Sequence, residues 1–104
     1  NSMLSALYLL TADKYLWSKV RCAVSNNGIN FSAVRLDNVS TDAYTLYMTA
    51  RDLYSGTAHI TVSDLADTDL IKNKMFGIIC NAMAIRRYGM KAVEIAKKDG
   101  VERC

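Results

Sequence analysis

The sequence predicts an all-α protein: a compact bundle of five or six short helices around a central apolar helix at about residues 70–88. Three observations carry this. Apolar residues recur at three- and four-residue spacings in most segments, the stripe of an amphipathic helix. Met75 to Ile85 is apolar nearly all round except for Gly77 and Asn81, and a helix of that kind sits among other helices. Proline is absent, which argues against β-sandwiches and barrels, whose turns use it.

The elements follow in chain order. Met3 to Leu10 is apolar except for Ser5, and its leucines and alanine favour a buried helix over a strand. Thr11-Ala12-Asp13 offers a cap and an acidic first turn. Leu16, Trp17, Val20, Ala23 and Val24 then form an apolar stripe, with Lys14, Ser18, Lys19 and Arg21 between them. Ser25-Asn26-Asn27-Gly28 stops that helix, since Asn and Gly tolerate the left-handed conformation. Asn30 caps a short helix holding Phe31, Val34 and Leu36, although Ile29 and Val39 also suit strands. Ser40, Thr41 or Asp42 opens a stronger helix with Ala43, Leu46, Tyr47, Ala50, Leu53 and Tyr54 on its stripe, and Gly56 ends it. Thr57 to Val62 alternates, but one isolated strand builds no sheet, so it reads as an extended connector. Thr61 and Asp64 have capping-box spacing, which places a short helical turn around Asp64–Ala66. Asp67, Thr68 or Asp69 caps the long helix, from about Leu70 to Tyr88, and Gly89 terminates it. Gly77 inside it costs about 1 kcal/mol against alanine and is expected to let another helix approach closely. A last helix, about Met90 to Lys98, carries Met90, Val93 and Ala96 on one side before Gly100.

The 104 residues form one domain, 1–104, with no repeat or linker. Folding a chain of this mass buries about two-thirds of its surface, so one core suffices. Its longest late uncharged run, Met75 to Ile85, has 11 residues, and a membrane span needs about 20. Cys22, Cys80 and Cys104 are an odd set without a close pair, which reads as buried free thiols in a reducing cytosol rather than a disulfide framework. Asn1-Ser2 ahead of Met3 reads as an expression scar or as the interior of a longer chain trimmed at its N-terminus.

Charge is uneven. Residues 1–36 carry four basic and one acidic residue, residues 37–70 one basic and six acidic, and residues 71–104 eight basic and three acidic. The middle of the chain is therefore expected to sit against its ends.

Constellations for chemistry are sparse. His59 is the one histidine. Pairing it with Cys22 or Cys80 is arithmetically open, but both cysteines fall in apolar helical stretches, where thiols are inert packing. No close ligand pair suggests zinc, and the five scattered glycines cradle no phosphate. Asp64, Asp67 and Asp69 suit the positive end of the following helix. No catalytic residue, metal or cofactor is therefore expected. Arg86, Arg87 and Lys91, with Lys97 and Lys98, form the one basic cluster. Cations at a helix C-terminus stabilise it by about 0.3–1 kcal/mol, which accounts for Arg86 and Arg87 without a ligand. Trp17 and six tyrosines remain. Tyr44 and Tyr54 lie partly off the stripe of their helix, and tyrosine favours interfaces because its two ends differ in polarity.

The string Ala6-Leu7-Tyr8-Leu9-Leu10-Thr11-Ala12-Asp13, then Trp17, Gly28-Ile29-Asn30-Phe31 and Ala84-Ile85-Arg86-Arg87-Tyr88-Gly89, resembles a family of small uncharacterised helical proteins. That family, a domain of unknown function, occurs in prophages and conjugative elements of Gram-positive gut bacteria. The resemblance covers most of residues 6–89. It implies a cytoplasmic bacterial setting and a mobile-element origin, and it brings no catalytic residue or cofactor. Family members begin with a further helical stretch, which fits a trimmed N-terminus.

The expected function is a non-enzymatic protein-interaction module that docks a protein partner or self-associates, with Trp17, Tyr44, Tyr54, Arg86, Arg87 and Lys91 as candidate interaction residues. The alternative is a nucleic-acid-binding accessory protein using the basic C-terminal third.

Overall fold

The computed structural model describes residues 1–89. Of these, 64% are helical and 4% lie in strands. The order is α1 (Ser2–Leu10), α2 (Lys14–Val20), a 3-10 turn (Arg21–Ala23), β1 (Val24–Ser25), β2 (Gly28–Ile29), a 3-10 turn (Phe31–Ala33), α3 (Thr41–Ser55), α4 (Val62–Leu65) and α5 (Asn73–Tyr88). The helix expected at Met90 to Lys98 lies outside the described residues. So do Lys91, Lys97, Lys98 and Cys104.

α1, not the 70–88 helix, is the central rod. It packs extensively against both α3 and α5, which touch each other far less. The reason is in its residues: α1 carries no charged side chain, and Ser5, Ala6, Leu9 and Leu10 are buried. The Ser5 hydroxyl donates to the Ser2 carbonyl, 3.1 Å, so burial leaves no polar group unpaired. α5 buries one side only, with Met75, Ile79, Ala82 and Ile85 inward and Phe76 and Met83 exposed. α1 and α5 run antiparallel, with Asn1 against Gly89 and the Asn81 amide donating to the Tyr8 hydroxyl, 3.0 Å.

Capping follows local chemistry. An Asp13 carboxylate oxygen accepts from the Leu16 N–H, 2.9 Å, and the Ser40 hydroxyl accepts from the Ala43 N–H, 3.0 Å. Gly56 ends α3 in the left-handed region, φ 76°. Thr61 and Asp64 form a reciprocal capping box, 3.0 and 3.1 Å, one turn of helix after the extended connector. The long helix departs from expectation at its start. The Asp67 side chain accepts from the Asp69 N–H, 2.9 Å, and the Asp67 carbonyl accepts from the Leu70 and Ile71 N–H groups. That turn occupies Asp67 while Asp64 serves the capping box of α4, and α5 begins later, behind Lys72, which makes no side-chain cap bond.

The segment after α2 also differs. The stripe through Val24 predicted continued helix, but α2 stops at Val20 and the chain enters a two-stranded antiparallel hairpin pairing Val24 with Ile29 and Ser25 with Gly28. Asn26-Asn27 turns it. Two-residue strands are too short to show an alternating pattern. Asn30 makes no side-chain cap bond to the 3-10 turn that follows. The charge segregation is not expressed as ion pairs between the middle and the ends. Among the described residues the ion pair between permanently charged groups is local, Arg35 with Asp37.

Candidate interaction surface

The tyrosines of α3 divide by burial. Tyr47 is buried, and its phenol donates to the Phe31 carbonyl, 2.7 Å. Burial pushes its pKa above the ordinary 10.0 against the lowering influence of Arg51. Phe31 stands edge-on to Tyr47, centroids 5.4 Å apart, and tilts on Tyr54 at 5.7 Å. The Tyr54 hydroxyl accepts from the Ile29 N–H, 3.2 Å, and lies where a Gly28 side chain would be. Tyr54 is thus a structural tie from α3 to the hairpin rather than an exposed anchor. Trp17 is half-buried against the core. Tyr44 is 47% exposed, as an interaction residue must be.

The basic cluster is partly engaged. Arg86 Nε donates to the Leu53 carbonyl, 3.1 Å, so it closes an open carbonyl in the last turn of α3. Arg87 Nε donates to the Tyr88 hydroxyl, 2.9 Å, with the guanidinium 5.4 Å from that ring's centre. Lys91 lies outside the described residues.

His59 has a different neighbour from the cysteines weighed for it. Its Nδ1 is 2.8 Å from an Asp52 carboxylate oxygen. That carboxylate also accepts from the Thr57 hydroxyl, 2.6 Å, and the Ile60 N–H, 2.7 Å. Desolvation alone would raise the Asp52 pKa. The hydrogen bonds from Thr57, His59 and Ile60 outweigh it and hold the pKa below the ordinary 3.8. Asp52 therefore latches the connector onto α3. Cys22 is exposed rather than buried, and Cys80 is half-buried. Among the described residues no three His, Cys, Asp or Glu side chains converge as metal ligands would. A shallow open cleft of about 340 Å³ lies over the hairpin, lined by Ala23, Ser25, Asn27, Gly28, Ile29, Asn30 and Tyr54. It holds no carboxylate, histidine or cysteine.

The residues that sequence reasoning missed lie on the outer side of α5. Phe76 is 43% and Met83 38% exposed, with Cys80 half-buried between them and Gly77 open to solvent. Gly77 was expected to admit a neighbouring helix, but a Cβ there meets no atom within 4 Å. The signal was present: 76, 80 and 83 are spaced four and three apart, about 100° round the helix from the buried 75, 79 and 82. Read as one all-round apolar run, the two stripes were indistinguishable.

Comparison with protein-family models, with curated proteins and with solved structures gives no match to this chain. Among the described residues, no helix is long and apolar enough to cross a membrane.

Proposed function

We propose that the protein is a non-enzymatic protein-interaction module that docks a protein partner through the outer face of α5. The observation that carries this is the exposure of Phe76 and Met83 on one side of a helix whose other side is fully used by the core. Large apolar groups clustered on a surface favour association, because docking removes their area from water. Tyr44 and Tyr88, also exposed, add amphipathic contact area. The bacterial cytoplasm and a prophage or conjugative element are proposed as its setting on the resemblance of residues 6–89 alone. Nucleic-acid binding is the weaker reading, because Arg86 is already hydrogen-bonded within the fold.

A photoreactive benzophenone placed on Cys80, with Cys22 and Cys104 replaced by serine, tests the docking face. Irradiation in a native bacterial extract is expected to yield protein adducts that Met83→Glu abolishes. Adducts to nucleic acid, or none at all, contradict the proposal.

A further inference from the structure

Among the described residues the outer face of α5 leaves Phe76, Gly77 and Met83 exposed, and the charged side chains of the helix are all of one sign. Phe76, Gly77, Cys80, Met83 and Ala84 occupy an arc of about 120° at 100° per residue. From Asn73 to Arg87 the face runs about 21 Å, the length of four helical turns. Arg87 lies almost in line with Cys80, and Lys72 flanks the other end. Lys74, Arg86 and Arg87 are the charged residues of α5, which contains no carboxylate. Among the described residues no carboxylate is paired with Lys72, Lys74, Arg86 or Arg87. Behind α5, α1 adds no charged side chain.

Resting on the docking reading above, we propose that the occupant is an amphipathic helix of another protein, with apolar residues on its seam and Asp or Glu on its flanks. The charges decide against a second copy of this chain. A parallel copy sets Arg87 against the partner's Arg87. An antiparallel copy brings Arg87 beside the partner's Lys72. Like charges face each other either way, which disfavours association. Carboxylates on the incoming helix meet the same cations favourably and speed encounter. Phe76 and Met83 form a ridge on one flank. The small residues Gly77 and Ala84 occupy the other, where large apolar side chains of the incoming helix would fit. This gives Gly77 a use that nothing in the described fold supplies.

The probe is a labelled 14-residue helical peptide, about four turns long, with a leucine stripe flanked by glutamates, against a twin with lysines for the glutamates. Binding to the full-length protein is read by fluorescence anisotropy up to about 1 mM, the weak end of specific association. The acidic peptide is expected to bind and to weaken as salt rises. Arg87→Glu and Met83→Glu should each lower affinity about tenfold or more, and the lysine twin should not bind. Equal binding of both peptides overturns the proposal, as does indifference to Arg87→Glu. Sedimentation showing a dimer that Met83→Glu dissolves also overturns it, in favour of a second copy. If neither peptide binds while Cys80 still cross-links a protein, the acidic occupant fails and the docking face stands. If Cys80 cross-links nothing, both fail.

Discussion

α3 and α5 are similar in length, yet they spend their side chains differently. On α3 nearly every distinctive group is tied down. Tyr47 donates to Phe31, Tyr54 accepts from Ile29, and Asp52 gathers Thr57, His59 and Ile60. On α5 the inner side is core, while Phe76 and Met83 on the outer side are exposed and join no cluster of the fold. Apolarity alone therefore does not mark importance for folding. The partners of a side chain decide whether it holds the fold or waits for something else.

That contrast can be broken most severely at the helix both share. Leu9 on α1 is fully buried, and Leu9→Ala is expected to cost about 3 kcal/mol or more through lost burial and a cavity, read by urea denaturation. Gly28→Ala should cost about 2 kcal/mol. Its φ of 139° suits only glycine, and the new methyl displaces the Tyr54 hydroxyl. A circular-dichroism melt checks this, and Gly28→Ala combined with Tyr54→Phe should recover part of the loss.

Asp52 tests the latched side by pH. Its folded pKa is lowered, so its contribution is fully present above the ordinary 3.8 and is lost as pH falls through the depressed folded value. Asp52→Asn removes charge-assisted bonds worth about 2 kcal/mol together. The variant should lose stability at pH 7 and show a shallower acid decline than the parent in denaturation at a series of pH values.

The smallest effect has the opposite sign. Gly77→Ala should raise stability by about 1 kcal/mol, because a Cβ there meets nothing and alanine is the better helix former. A lowered midpoint in chemical denaturation would show that something covers this side of α5.

What the sequence revealed and what it hid divide along the same line. Asp13, Ser40, Gly56 and the Thr61–Asp64 box were legible because each acts on backbone groups within four residues of itself. The mostly helical architecture was legible from the stripes. The hairpin at Val24–Ile29 was not, since its two-residue strands gain support from Tyr54, twenty-five residues ahead of Ile29. The inward turn of Thr45 and Thr49 was hidden too. Both satisfy their hydroxyls on the preceding helical turn, at Thr41 and Thr45 carbonyls 3.0 and 2.7 Å away, and so pass as apolar. The centrality of α1 depended on which neighbours meet it, and periodicity does not carry that. Of the six candidate interaction residues, Tyr44, Arg86 and Arg87 are exposed, Trp17 and Tyr54 are half-buried, and Lys91 lies outside the described residues. The α5 face escaped because its two stripes merged in one apolar run.

The most direct measurement is a thermal melt of the double variant Phe76→Gln/Met83→Gln beside the parent and Leu9→Ala. If the outer face of α5 serves docking and not folding, the double variant melts within about 4 °C of the parent, as exposed substitutions do. A fall of about 10 °C or more, comparable to Leu9→Ala, would contradict that division and return both side chains to the core.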